Sequence, residues 1–114
     1  MSHNMQQTSV SPVELASLPA GAMVLIDIRK PGARAVSGLA IPGSVWRHPF
    51  DAANWAREFR HCNVALFCVH GHEVSQAVCG YLSEMEIDAV IMEGGFEAWK
   101  QAGLPVETLA EADV

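Results

Sequence analysis

In the segment "NVALFCVHGHEVSQAVCGYL", residues 63 to 82, an apolar run ends on Cys68, a short loop of polar and small residues follows, and the apolar pattern then resumes. A thiol at a strand end, before a loop holding Gly71 and a helix beginning near Ser75, faces the loop N–H groups and the positive end of that helix. Such donors favour thiolate over thiol, so a nucleophile is partly formed at neutral pH, and the same donors would hold a bound oxyanion or a persulfide. The plainer reading of Cys68 is a small buried hydrophobe, which is what most free cysteines are. Its place between strand and helix is what recommends the chemical reading.

Neighbouring side chains carry further possibilities. His70 and His72 could donate to a substrate oxygen or simply be solvated loop residues. With Cys68 they make three soft or borderline donors, a partial zinc or copper set without an evident fourth ligand, so no metal site is assigned. Glu73 is a carboxylate in the same loop; aimed inward it would oppose an anionic substrate and raise the cysteine's pKa, aimed outward it would do little. A cysteine-dependent phosphatase of the C-x5-R kind needs an arginine fork for phosphate oxygens, and Val74 stands in that place, so phosphate ester hydrolysis is not expected. Arg29 could favour anions at a pocket mouth or pair with a carboxylate and hold a strand end, the second being the preferred reading. Cys79 reads as core, and Cys62 lies about 20 Å from Cys68 along an extended strand, too far for a disulfide. His3, His48 and His61 read as ordinary surface residues.

These residues need elements to hold them. Ser11 as N-cap, Pro12 in the first helical position and Glu14 completing a capping box open a short helix that Pro19 stops. "AMVLIDI", residues 22 to 28, reads as a central strand buried on both faces. A Gly- and Ala-rich stretch, a Pro-Gly turn and a short extended piece around Val45 follow, then a helix through "AANWAREFR" capped by Asp51, with Trp55 and Phe59 on one face. "NVALFCV" is the second buried strand, and Ser75 to Met85 a helix with Val78, Tyr81, Leu82 and Met85 at helical spacing. "AVIMEGG" is a third strand, and "GFEAWKQAG" a last helix with Phe96 and Trp99 in packing roles. The pair Gly94-Gly95 is expected to let the chain turn closely past the cysteine loop. Strands alternating with helices mean βαβ units and a mostly parallel sheet covered on both faces, with ligands beyond the carboxyl ends of its strands. Cys68 and the segment from Asp27 to Arg29 share that edge.

The chain has 114 residues, half of them hydrophobic, which suits one domain with one core. A net charge of -6 with seven scattered Lys and Arg offers no basic stripe, so neither nucleic acid nor an anionic membrane surface is an expected partner. No apolar run approaches a membrane span and the N-terminal stretch lacks the pattern of a signal peptide, so the chain reads as cytoplasmic. Three irregularly spaced cysteines read as free thiols rather than a disulfide or zinc framework. Residues 1–10 are read as a flexible leader, 11–107 as the domain and 108–114 as a C-terminal tail.

Four separated pieces in order resemble the rhodanese family of single-domain sulfurtransferases. They are "VLIDIRKPG", "IPGS", the cysteine loop, and "MEGGFEAWKQAGLPV", together covering roughly residues 11 to 107. Departures lie in "GLA" where the family commonly has Gly-His, in a longer spacing from Arg29 to Pro42, and in Glu73. The resemblance implies a rhodanese-like α/β fold, a mostly parallel five-stranded sheet with helices on both faces. It also implies Cys68 as nucleophile and persulfide carrier, with Val69, His70, Gly71, His72, Glu73 and Val74 forming the persulfide-binding loop. The implied partners are a small-molecule sulfur donor, thiosulfate or a persulfide, and a cyanide or thiol acceptor, with no cofactor. A module of the same fold that binds a partner or senses oxidants, with weak or no catalysis, is the alternative.

Overall fold

The computed structural model describes residues 9–70 and 73–109. Its first apolar run forms β2 (Val24–Asp27), the second β5 (Asn63–Phe67) and the third β6 (Asp88–Met92). With β1 (Ser9–Val10) and β4 (Val45–Trp46) they make one five-stranded sheet in the order β1-β6-β5-β2-β4, every neighbouring pair parallel. The register sets Asp27 against both Phe67 and Trp46, so those three strands finish along one edge. A second, two-stranded sheet pairs β3 (Leu39–Ala40) antiparallel with β7 (Glu107–Thr108).

Side chains of a strand alternate between faces, and the alternation builds two cores. Ile26, Val64 and Leu66 point toward Trp55, Ala56 and Phe59, which follow from α3 (Ala52–Trp55) and the 3-10 turn Ala56–Phe59, and toward Val78 and Leu82 of α4 (Glu73–Glu84). Leu25, Phe67 and Met92 point the other way, toward Ile41, toward Leu15 of α1 (Pro12–Ala16), and toward Phe96 and Trp99 of α5 (Gly95–Gln101). Helices therefore cover both faces, as expected.

The capping box of α1 is formed, with the Glu14 N–H donating to Ser11 Oγ at 3.1 Å and the Ser11 N–H to Glu14 Oε1 at 3.0 Å. Four other expectations change. Ser9 and Val10 are not leader but the edge strand beside β6, because that edge would otherwise expose a row of unpaired backbone groups. Thr108 is likewise no tail residue, since it pairs with Leu39, and the Leu109 N–H donates to the Gly38 carbonyl. The Gly- and Ala-rich stretch contains a helix, α2 (Pro31–Ser37), with Pro31 at its start and Gly38 closing it at φ +68°. It buries no residue, so it carries no apolar period by which sequence could reveal it. The helix expected through residues 52–60 tightens to 3-10 geometry after Trp55, and Asp51 at its N-cap accepts from the Asn54 side chain instead of a backbone N–H. Among the described residues no helix is long and apolar enough to cross a membrane.

Candidate active site

Strand parity decides where the cysteine points. Cys68 follows Phe67 and lies two residues beyond Leu66, so its side chain takes the α4 face and joins that core while Phe67 joins the other. It is 8% exposed. The Ser75 hydroxyl, fully buried in the first turns of α4, donates to Cys68 Sγ at 2.9 Å. Ser75 was legible only as part of the helix start. Its spacing to Val78 and Leu82 marks a buried stripe, but nothing in the sequence says that this hydroxyl reaches the sulfur.

The peptide groups leaving Cys68 are fixed from the other face. The Phe96 N–H donates to the Cys68 carbonyl at 2.8 Å and the Glu97 N–H to the Val69 carbonyl at 3.1 Å, so the first turn of α5 grips the start of the loop. Gly95 makes that approach possible. Its φ is +65°, and a Cβ there would lie 2.5 Å from the Val69 carbonyl oxygen and 2.6 Å from that of Cys68. The close passage expected of the glycine pair is present.

Beyond the sulfur opens a cavity of about 490 Å³ lined by Ile28, Arg29, Lys30, Cys68, His70 and Glu73, with Val69 and Val74 contributing apolar wall. The side chains of His70 and Glu73 are exposed at its rim, and Val69 and Val74 are half-buried. Gly71 and His72, the other two expected loop residues, lie outside the described residues, as does His3. Among the described residues no group of three or more His, Cys, Asp or Glu is arranged to hold a metal, and the Cys68, His70 and His72 set includes a residue outside them.

Arg29 takes the structural role. Its side chain is 1% exposed and grips Asp27 through Nε and Nη2, at 2.9 and 3.1 Å from Nε and 2.7 Å from Nη2, while Nη2 also donates to the Leu39 carbonyl at 2.8 Å. The Phe96 ring lies against its guanidinium, 4.2 Å from centroid to Cζ. One buried cation thus ties the end of β2 to β3 and α5, and it forms cavity wall as well.

The remaining thiols stand apart from this centre. Cys79 is half-buried against the α4-side core, its Sγ donates to the Ala89 carbonyl at 3.4 Å, and burial pushes its thiol above the ordinary range against a smaller opposing effect of Ser83. Cys62 packs at the edge of the same core and is a free thiol. His61 is exposed, whereas the ring of His48 is half-buried and its Nδ1 accepts from the Phe50 N–H.

A family model described as "Rhodanese-like domain" matches residues 11–102. The chain is similar to the thiosulfate sulfurtransferase GlpE of Actinobacillus succinogenes, at 44% identity over 46 residues, a match spanning 40% of each chain. Among solved structures it is similar to a rhodanese-related protein of Thermoplasma volcanium, with a TM-score of 0.76 at 26% identity over 87% of this chain and 96% of the other. A rhodanese-like domain protein of Staphylococcus aureus superposes with a TM-score of 0.77 at 25% identity, over 91% of this chain and all of the other.

Proposed function

The chain belongs to the rhodanese-like domain family, and from that premise we propose that it is a sulfurtransferase in which Cys68 carries sulfane sulfur as a persulfide. In the first step the Cys68 thiolate attacks the outer sulfur of thiosulfate, the donor's S–S bond breaks, and sulfite leaves with the bonding pair. In the second, cyanide or a thiolate attacks the outer sulfur of the persulfide and the Cys68 thiolate is released. No redox cofactor is needed, because sulfane sulfur passes between nucleophiles.

The observation that carries this reading is the Ser75 hydroxyl at 2.9 Å from Cys68 Sγ, at the inner end of a cavity of about 490 Å³. A donor on the sulfur favours negative charge there, both before attack and when the sulfur leaves again. The grip of α5 on the Cys68 and Val69 carbonyls holds the nucleophile in one orientation, which lowers the entropic cost of reaching the reactive geometry. The competing reading, a partner-binding or oxidant-sensing module, draws on the low exposure of Cys68 and the carboxylate of Glu73 on the cavity rim.

Intact-protein mass spectrometry separates the two. Brief incubation with thiosulfate is expected to add one sulfur, about 32 Da, which cyanide removes and the Cys68→Ser variant never acquires. No gain from thiosulfate or any persulfide donor, with the fold intact, overturns the enzyme reading in favour of the binding module.

A further inference from the structure

The cavity that holds the sulfur carries charges of both signs on its exposed rim. Lys30 lines it from the connection between β2 and α2, its ammonium also 5.7 Å from the centroid of the exposed Phe50 ring, and Glu73 lines it from the start of α4; both residues are exposed. The same lining includes the apolar residues Ile28, Ala33, Val69 and Val74. Arg29 also lines the cavity, but its guanidinium is held through Nε and Nη2 against Asp27, a carboxylate that Arg34 Nε also approaches at 3.4 Å. His70 lies on the same rim and completes the polar lining.

Thiosulfate is a compact dianion with no apolar part and no cation. It gains from Lys30 but is opposed by Glu73, and it leaves the apolar wall unused. A ligand suited to the whole lining has a short hydrocarbon part for that wall, a carboxylate for Lys30 and an ammonium for Glu73. Resting on the sulfurtransferase reading above, we propose that Glu73 and Lys30 select the donor, and that the class they select is an α-amino-acid hydropersulfide, such as cysteine hydropersulfide, over thiosulfate. The step balances without an oxidant or reductant. The Cys68 thiolate attacks the outer sulfur of R–S–SH, the inner S–S bond breaks, R–S⁻ departs with the bonding pair and takes up a proton from water, and Cys68 keeps the S–SH group. Glu73 touches the donor rather than the reacting sulfur, so it is a specificity residue.

The experiment compares initial rates of persulfide formation, read by intact mass, for three donors: cysteine hydropersulfide, the hydropersulfide of 3-mercaptopropionate, which has the same chain without the ammonium, and thiosulfate. The native protein is expected to favour the ammonium-bearing donor over its deaminated analogue about threefold, within the roughly 1.4- to fivefold range an exposed ion pair supplies. Glu73→Gln should bring that ratio to about one and raise the rate with thiosulfate about threefold. Lys30→Gln should slow both organic donors by a similar factor and leave their ratio unchanged. Loading of Cys68 by all three donors, with an ammonium preference absent or unmoved by Glu73→Gln, overturns the proposal and leaves the sulfurtransferase reading standing. Failure of every donor to load Cys68 overturns both.

Discussion

The sulfur of Cys68 and the hydroxyl of Ser75 are 2.9 Å apart, and both are buried. A hydrogen bond to a group that becomes charged contributes about 1.5–3 kcal/mol, so Ser75→Ala is expected to slow sulfur loading at least tenfold with little loss of stability. Single-turnover mass spectrometry measures the rate, and an unchanged rate would leave Ser75 a packing residue only. Cys79 offers a contrasting test. Burial raises its pKa, so the folded state binds that proton more tightly than the unfolded chain. The associated stability is present at neutral pH and is lost as pH rises from about 8.5 through the raised folded value. Thermal melts of Cys79→Ala should therefore decline less than those of the native protein above that pH. That Cys68 would sit at a strand end was legible from its place after an unbroken apolar run. The identity of its hydroxyl partner was not, because Ser75 reaches the sulfur only after the intervening loop has closed.

At the scale of elements, α5 places the loop by bringing its first amides onto the Cys68 and Val69 carbonyls. Gly95→Ala would force a methyl group to within 2.5 Å of the Val69 carbonyl oxygen at a φ of +65°, and one of the two backbones must move. The expected cost is on the order of 3 kcal/mol, a fall in Tm of roughly 10 °C, with sulfur loading impaired even below the melting transition. Gly80→Ala is the matched control. A Cβ there meets nothing within 4 Å in the middle of α4, so the substitution should raise stability by about 0.5–1 kcal/mol, seen as a higher Tm. The glycine pair was visible as a close-approach signal because strand, Gly-Gly and helix follow one another directly. Helix α2 was not, since it lies on the surface with no buried side chain, and its only local marks are the proline that starts it and the glycine that ends it.

Across the whole molecule, the Arg29–Asp27 pair is the point where the two sheets and α5 meet. Removing one partner of a buried, hydrogen-bonded ion pair leaves the other charge uncompensated and costs about 3–5 kcal/mol. Asp27→Asn, which leaves both Arg29 and Arg34 without their carboxylate, should accordingly lower the denaturant midpoint by that equivalent, and Arg29→Met should cost less because Arg34 Nε, 3.4 Å from Asp27 Oδ2, still faces the carboxylate. Equal losses in the two variants would mean that Arg34 does not compensate Asp27 once Arg29 is gone. The short strands β1 and β7 belong to the same scale. Each has two residues, too few for any period, and each forms because a neighbouring backbone edge is available to it.

Local patterning by itself determined the three long strands, the capped first helix, the two-faced core and the placing of Cys68 at the carboxyl edge, since burial on both faces and helical spacing are written in residue type and interval. The four ordered motifs determined the family. Tertiary structure alone decided that Ser75 meets the sulfur, that Arg29 reaches the Leu39 carbonyl and the Phe96 ring, that Lys30 and Glu73 share one cavity, and that residues read as leader and tail complete the sheets. These are contacts between segments far apart in the chain or across a closed loop, and they follow from the register and crossover of whole elements, which no local pattern encodes.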